Sequence, residues 1–336
     1  MLVLGIESSC DECAASVVKD GREILSNVVA TQIETHKKFG GVVPEIASRL
    51  HVESINYVLD KAIKDAGVDF EDIDVVAGTM GPGLVGALLV GLSAAKTVAM
   101  AVDKPFVGAN HIVGHVCANY IADPSLEPPF IGLIVSGGHT YLIDVKDYVD
   151  FELVGRTKDD AVGEAFDKVA RVLGIGYPGG PVVDRLSKEG RPTIDYPRAM
   201  LNEDNYDFSF SGIKTAVINY IHNMEQKHEE IIKEDVCRSF QDCVVEILTT
   251  KTLNLAKERG AKKIVISGGV GANDGLRSAF NTIGKREGIE IYYPPKNLCT
   301  DNAAMIASCG YYTYLKNGES HNVRAVPNLG LTYPQL

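Results

Sequence analysis

The sequence has no Pro-rich or Ser-rich tract of the kind that forms flexible linkers, so we expect domains that are joined by ordered structure. It has no uninterrupted membrane span either. Its longest apolar stretch, residues 84–102, contains Ser93, Lys96 and several glycines, which favours a buried helix. With 336 residues, 45% of them hydrophobic, the chain is long enough for two domains, or one large α/β domain, with well-buried cores.

The amino terminus lacks the basic region and the cleavage site of a signal peptide, so MLVLGIESS is expected to form a strand. Without a secretion signal, the seven cysteines predict free thiols in a reducing, cytoplasmic setting. Cys10 and Cys13 form a CxxC, but no second CxxC completes a zinc site. Asp11 and Glu12 lie between them and would raise the thiol pKa values. A disulfide under oxidising conditions stays open.

Positive charge is also scarce, with 33 Lys and Arg against 44 Asp and Glu, which gives a net charge of -11. This balance argues against broad, sequence-independent binding of nucleic acid by the chain alone. If RNA is the substrate, we expect partner proteins to help hold it.

Glycine-rich turns follow apolar, strand-like runs in three places, within residues 5–13, 134–139 and 264–273. Glycine lets the backbone approach a phosphate or ribose, and consecutive N–H groups in such a turn can point at one anion. A Gly-Gly turn can also simply close a hairpin. Two strand-turn-strand units followed by a strand-turn-helix unit are nevertheless typical of actin-like ATPases, and together they predict one divided nucleotide site.

Two other phosphate-binding motifs are absent. The turn Gly81-Pro82-Gly83 is not followed by the Lys-Ser or Lys-Thr of a Walker sequence. The spacing of the glycines and the antiparallel strands before them also exclude a Rossmann fingerprint. We therefore assign this turn to helix packing first and to proximity to a ligand second.

A histidine pair, His111 and His115, follows Asn110, which is a suitable N-cap. On a helix both imidazoles would project from one face and could share a metal, with ordinary packing as the alternative. A zinc peptidase of the HExxH type needs a glutamate at position 112, which is Ile112 here. Asp301 opens another helical segment and would suit as a third ligand, because two histidines and one carboxylate fit iron or zinc.

Motifs spread over nearly the full length agree jointly with one family. They are Gly5 to Glu12, Gly41 to Arg49, Pro105 to His115, Ser136 to Thr140, Phe208 to Ala216, Gly268 to Asn273 and Thr300 to Asn302. In these motifs the chain resembles the tRNA N6-adenosine threonylcarbamoyltransferases in their bacterial form (TsaD type), once described as O-sialoglycoprotein endopeptidases. Cys13 departs from the family, which commonly has Thr, Ser or a small residue there.

The resemblance implies an α/β, two-lobed actin/hexokinase-like (ASKHA) fold, with duplicated mixed-sheet subdomains and a central ligand cleft. We predict an N-terminal lobe over residues 1–109 that is joined by the C-terminal segment 322–336. The C-terminal lobe is predicted over residues 110–321, carrying the metal and most nucleotide contacts.

The resemblance also implies a reaction, the transfer of a threonylcarbamoyl group from threonylcarbamoyl-AMP to N6 of adenosine 37 in tRNAs that read codons beginning with A. By position, His111, His115 and Asp301 match the ligands of one divalent metal, iron(II) first and zinc as the alternative. Asp11 and Glu12 could position a water or assist proton removal from N6. The positions that match contacts to the adenylate are Ile134, Val135, Ser136, Gly137, Gly138, Asp167, Gly180, Asp184 and Asn273.

Bacterial relatives work with a paralogous actin-like subunit (TsaB type) and a P-loop ATPase (TsaE type), so the same partners are implied here, in the cytoplasm and away from membranes. A dimer stays open. Three other functions stay open as well: a metal-dependent endopeptidase, an ASKHA-type small-molecule kinase and a non-catalytic actin-like scaffold.

Overall fold

The computed structural model describes residues 1–331, which form ten strands and eleven α-helices, numbered here in chain order. The strands are β1 (Leu2–Glu7), β2 (Glu12–Lys19), β3 (Glu23–Thr31), β4 (Val75–Gly81), β5 (Phe106–Asn110), β6 (Phe130–Val135), β7 (Thr140–Asp147), β8 (Asp150–Arg156), β9 (Lys263–Ser267) and β10 (Glu290–Tyr292). The helices are α1 (Ile33–Lys37), α2 (Pro44–Ala66), α3 (Val85–Ala101), α4 (His111–Ala122), α5 (Val162–Leu173), α6 (Gly179–Ser187), α7 (Ser211–Lys227), α8 (Lys233–Glu258), α9 (Asp274–Glu287), α10 (Lys296–Cys299) and α11 (Ala303–Asn317).

The chain folds into two compact units. The first comprises Met1–Pro128, Asp147–Asp150 and the residues from Asn297 onward, and the second comprises Pro129–Lys146 and Phe151–Lys296. Each unit contains one five-stranded mixed sheet, and both sheets have the same order. In each of them the third, second, first, fourth and fifth strands of the unit lie side by side, so the predicted duplication of a mixed-sheet subdomain is confirmed.

The sheet of the first unit begins with the predicted hairpin, because β1 pairs antiparallel with β2 and β2 pairs antiparallel with β3. Strand β4 then pairs parallel with β1, and β5 pairs parallel with β4. Leu4 and Ile6 of β1 lie in one core cluster with apolar residues of α2 and α3. This packing covers one face of the sheet and fixes the end of β1 from which the loop to β2 emerges.

Helix α11 also packs against β1, and Gly5 is the reason it can come so close. A Cβ atom at Gly5 would lie 2.4 Å from the carbonyl oxygen of Ala303 and 2.5 Å from the amide nitrogen of Ala307. Only a glycine leaves room for that helix backbone. The contact holds the start of α11, and therefore the segment that contains Asp301, against the central strand.

In the second unit, β6 pairs antiparallel with β7 and parallel with β9, and β10 pairs parallel with β9. Leu133 and Ile266 of these strands belong to a large core cluster that includes Phe166 of α5 and Phe240 of α8. Because β6 and β9 are parallel neighbours, the turns that follow them emerge at the same edge of the sheet.

The units divide at a different place from the predicted lobes. Prediction placed α4 and α11 in the C-terminal lobe, but both belong to the first unit. Asn110 ends β5 and is at once the N-cap of α4, so this helix stays with its sheet. The predicted return of the C-terminal segment agrees with the hydrogen bond from the Val326 amide to the Met80 carbonyl (2.8 Å). Residues 332–336 of that segment lie outside the described residues.

The apolar stretch at residues 84–102 forms α3, as predicted. It is buried along one side only, because Leu88 and Leu92 are buried whereas Leu89 and Met100 are exposed. Among residues 1–331, no helix has the length and hydropathy that crossing a membrane requires.

Candidate functional site

Two buried histidines lie on the first two turns of α4. The side chain of Asn110 accepts hydrogen bonds from the amides of Ile112 (2.9 Å) and Val113 (3.3 Å), so it is the N-cap that its residue type predicted. His111 is 6% exposed and His115 is 1% exposed, and their ring centroids are 4.8 Å apart. Helical spacing therefore places both imidazoles on one face.

Asp301 completes a cluster of three metal-binding side chains in the first unit. It precedes Asn302, which caps α11 by accepting a hydrogen bond from the Met305 amide (3.1 Å). Its Oδ1 lies 3.3 Å from Nε2 of His115 and 3.5 Å from Nε2 of His111. One ligand atom from each residue fits within a span of 4.8 Å.

The cluster fits a divalent metal. Neither ring nitrogen of His115 forms a hydrogen bond among the described residues, and the carboxylate of Asp301 lies 3.3 Å from Nε2. Burying a polar nitrogen without a hydrogen bond is costly, and coordination of Nε2 would remove part of that cost. Two imidazoles and one carboxylate are also the donors that iron(II) and zinc(II) accept.

The negative charges of Asp301 and Glu7 favour the binding of a cation at this cluster. Burial lowers the pKa of His111, but the charges of Asp301 and Glu7 outweigh burial and raise this pKa to about 9. Without a metal, His111 is therefore protonated at neutral pH. A divalent cation would take the place of that proton.

Sequence reasoning missed a role for Glu7, which ends β1. This side chain has no exposed surface, and Oε2 lies 2.9 Å from Nδ1 of His111. Burial raises the pKa of Glu7, but the His111 charge and hydrogen bonds prevail and hold it below its ordinary value. The signal was present in the sequence, since Glu7 is an acidic residue in an otherwise apolar strand.

The loop after β1 carries Asp11 and Glu12. The Thr31 hydroxyl donates a hydrogen bond to Oε1 of Glu12 (3.1 Å). Burial, followed by the charges of Asp11 and Asp301, raises the pKa of Glu12 to about 9. In the absence of a cation, Glu12 is thus a neutral carboxylic acid at pH 7, able to donate a proton but not to accept one.

The CxxC thiols are both free. Burial and the charge of Asp11 raise the pKa of Cys10, and burial with the charge of Glu7 raises that of Cys13 to about 12. Both thiols therefore stay protonated at neutral pH, in the direction that the acidic neighbours predicted.

The second unit contains the predicted turn between β6 and β7. It is closed by hydrogen bonds from the Ser136 amide to the His139 carbonyl (2.9 Å) and from the His139 amide to Oγ of Ser136 (3.1 Å). Gly137 and Gly138 are exposed, and no atom lies within 4 Å of a Cβ built on either. Ile134 and Val135 are fully buried within β6, so the accessible part of this turn begins after them, at Gly137 and Gly138.

The third glycine-rich turn lies beside the second. A Cβ at Gly268, where φ is +88°, would come within 2.5 Å of the Val135 carbonyl oxygen and 3.3 Å of the Ser136 Cβ. Beyond this turn, Asn273 caps α9, accepting from the Leu276 amide (2.8 Å) and donating to Gln241 (2.7 Å). The parallel pairing of β6 with β9 thus brings together two of the three predicted turns.

The remaining predicted contacts join the helices of the second unit. Asp167 of α5 accepts a hydrogen bond from the Gly179 amide (2.7 Å), and a Cβ at Gly180 would meet no atom within 4 Å. Asp184 of α6 accepts hydrogen bonds from the amides of Asp274 and Gly275, both at 3.3 Å. Asp184 and Asn273 therefore both support the start of α9.

A cavity of about 290 Å³ adjoins the β6–β7 turn. Gly138, His139 and Tyr141 line one part of it, and Arg156 and Lys158 line another. The cavity offers space next to the exposed glycines, and its charged lining side chains are cationic.

Solved structures place these two units in a known fold class. A nucleotide- and phosphate-bound HypF matches with a TM-score of 0.62 at 18% identity, over 95% of this chain and 56% of that one. The (R)-2-hydroxyglutaryl-CoA dehydratase component A of Acidaminococcus fermentans matches with a TM-score of 0.55 at 16% identity, over 94% and 99%. The chain is an α/β protein of the actin-like ASKHA class, as predicted.

Sequence comparison identifies the family within that class. The family model of tRNA N6-adenosine threonylcarbamoyltransferase (TsaD) matches residues 23–308. Curated relatives with this name are 58% identical in Clostridioides difficile (strain 630) and 56% identical in Clostridium perfringens (strain SM101 / Type A), each over 98% of both chains. The chain belongs to the tRNA N6-adenosine threonylcarbamoyltransferase family and is a transferase of tRNA modification.

Proposed function

We propose that the chain transfers the threonylcarbamoyl group from threonylcarbamoyl-AMP to N6 of adenosine 37 in tRNAs that read codons beginning with A, with release of AMP. Family membership supports the reaction, and the meeting of His111, His115 and Asp301 is the observation that carries the proposal. The position of a peptidase base is filled by the buried hydrocarbon side chain of Ile112, which disfavours an endopeptidase.

The metal held by these three residues is iron(II) in this proposal, with zinc(II) as the alternative. When bound, it supplies a Lewis acid for the charge that develops on the donor's carbonyl or phosphate oxygen. The burial of both imidazoles keeps bulk water away from two of the ligands, and Asp301, 21% exposed at its side chain, faces the accessible side. Water exclusion strengthens the electrostatic contacts of the site.

The AMP portion of the donor is assigned to the second unit. The exposed amides of Gly137 and Gly138 can approach the phosphate without a side chain in the way. The hydroxyl of Ser136 is proposed to complete this end, and the buried residues Ile134 and Val135 are proposed to hold the turn in place beside the ligand. Ribose and adenine contacts are proposed for Asp167, Gly180, Asp184 and Asn273, because carboxylate, amide and backbone groups suit the hydroxyl groups and base edge of a nucleoside.

Asp11 and Glu12 are proposed to position a water or to help remove the N6 proton. As a base, Glu12 needs a pKa well below the value of about 9 that burial, Asp11 and Asp301 give it. A cation bound to Asp301 removes part of the negative charge that raises this pKa. Proton removal by Glu12 is therefore expected only after the metal site is filled.

The acceptor is a tRNA, and a single-stranded anticodon loop lets adenosine 37 be splayed out at small cost. The net charge of -11 supports weak binding of tRNA by this chain alone. We propose that a paralogous actin-like subunit (TsaB type) and a P-loop ATPase (TsaE type) assist it in the cytoplasm, and that dimerisation is compatible with this role.

A transfer assay tests the proposal. The protein, loaded with iron(II) or zinc(II), is mixed with threonylcarbamoyl-AMP and unmodified tRNA, with and without the two partners, and the nucleosides are measured by mass. We expect modified adenosine with the wild-type chain and none with His111→Ala. No modified adenosine under any of these conditions defeats the proposal, and ATP turnover driven by a small-molecule acceptor would favour a kinase.

A further inference from the structure

Glu7 is an unusual place for a negative charge. Among the acidic residues of the described chain it is the one with no exposed surface at all, at the end of the central strand β1. Burying an ionised carboxylate is costly unless its oxygens are fully hydrogen-bonded. The contacts of Glu7 therefore indicate why the residue is there.

Three donors meet the two oxygens of this carboxylate. Oε1 accepts a short hydrogen bond from the Ser9 amide. Oε2 accepts from the Thr79 hydroxyl (2.8 Å) and lies 2.9 Å from Nδ1 of His111. Since a carboxylate accepts and does not donate when ionised, all three contacts are satisfied only if Nδ1 of His111 carries a hydrogen.

This hydrogen decides which nitrogen of His111 is available to a cation. With the proton on Nδ1, the lone pair of the neutral imidazole lies on Nε2, the atom that is 3.5 Å from Oδ1 of Asp301. Neither ring nitrogen of His115 forms a hydrogen bond within residues 1–331, and only Nε2 faces a carboxylate, that of Asp301. Only one of the two histidines is thus oriented by a hydrogen bond.

We propose that Glu7 is a positioning residue of the metal centre, holding His111 in the Nδ1–H tautomer and placing a buried carboxylate behind this ligand. The inference rests on the proposed metal site. A carboxylate behind a ligand histidine fixes the ring and raises its basicity, and removing such a partner commonly costs 10-fold to 100-fold in metal affinity.

The substitution Glu7→Gln tests the role with almost no change of shape. An amide has one oxygen, so its NH₂ must face either the Ser9 amide or Nδ1 of His111, and in the second case His111 is driven to the wrong tautomer. We expect Zn²⁺ and Co²⁺ to bind about 10-fold to 100-fold more weakly, measured by chelator competition. The absorption spectrum of bound Co²⁺ should change as well. Glu53→Gln, at an exposed position on α2, is the matched control and should bind both ions like the wild type.

Thr79→Val is a second variant, which still tests the role of Glu7 if Glu7→Gln does not fold. It removes the hydroxyl that orients Oε2 and should weaken Zn²⁺ binding by a smaller factor than Glu7→Gln. Wild-type affinity and an unchanged Co²⁺ spectrum in the folded variants would overturn the proposal, as would a wild-type chain that binds neither ion. The wild-type transfer assay decides the proposed reaction separately.

Discussion

Oδ1 of Asp301 lies 3.3 Å from Nε2 of His115, although the two residues belong to different segments of the first unit, with the second unit between them in sequence. The distance depends on the packing of α11 over β1, where Gly5 leaves room for the helix backbone. The close packing of α11 at Gly5 thereby helps to set the geometry of the candidate metal site.

The substitution Gly5→Ala should weaken both the fold and the metal site. Its Cβ would meet two backbone atoms of α11, which cannot move independently, so we expect the free energy of unfolding to fall by about 1 to 3 kcal/mol. Urea unfolding and Zn²⁺ affinity would be measured together. In Gly212→Ala, where the nearest atom to an added Cβ is 3.9 Å away, both should remain near the wild-type values.

Alkaline pH should destabilise the metal-free protein. The pKa of His111 is raised from 6.5 to about 9 by Asp301 and Glu7 against the effect of burial. Because the folded pKa is the higher one, the stabilisation is fully present below pH 6.5 and is lost as the pH rises through about 9. Urea unfolding in the presence of a chelator should show this decline. His111→Asn should flatten the part of it that lies above pH 6.5, and an unaltered profile would show that His111 is not the group concerned.

Mild acid should destabilise the protein by weakening the hydrogen bond between His51 and the Gln32 side chain, where His51 also contacts the loop that carries Asp11. Nδ1 of His51 lies 2.9 Å from the side-chain nitrogen Nε2 of Gln32, and Nε2 of His51 lies 2.9 Å from the Cys10 carbonyl oxygen. A neutral imidazole suits both contacts, because Nδ1 accepts a hydrogen bond while Nε2 donates one. Burial lowers the pKa of His51. The stabilisation is therefore present above pH 6.5 and is lost as the pH falls towards the folded pKa. Unfolding experiments below pH 6.5 should show a shallower loss for His51→Asn than for the wild type, and equal losses would contradict the prediction.

Gly137→Ala should separate ligand binding from folding. The position is exposed, has open space around a Cβ and does not adopt a positive φ, so the free energy of unfolding should stay within about 0.5 kcal/mol of the wild type. A methyl group there would obstruct the close approach of a phosphate, and AMP should bind more weakly by calorimetry. Wild-type affinity for AMP would place the phosphate away from this turn.

Much of the local structure could be predicted from the sequence, because it depends on neighbouring residues. The hairpin of β1 and β2, the helix after Asn110 and the Ser136–Gly138 turn all follow from short-range patterns. Asp301 could be assigned only through the family resemblance, since no local pattern indicates which distant carboxylate approaches His115.

Other features depend on packing that a single sequence does not reveal. The apolar residues of α11 do not say which sheet the helix covers, so the predicted boundary at residue 110 differs from the observed units. In the sequence, Glu7 was only one residue of the motif from Gly5 to Glu12, and its contact with His111 becomes visible only in the folded chain. Ile134 and Val135 were predicted as ligand contacts by position, and only the folded chain shows that both residues have no exposed surface.

The ring nitrogens of His115, neither of which forms a hydrogen bond within the described chain, bear on the lifetime of the protein in a cell. An ion that binds the folded chain and not the unfolded chain shifts the folding equilibrium in proportion to its supply. Chains without the ion unfold more often and are then removed by proteases, so cellular abundance should follow metal availability. A pulse-chase experiment should show a shorter half-life under chelation for the wild type, and little change for His115→Leu, which has no imidazole to satisfy.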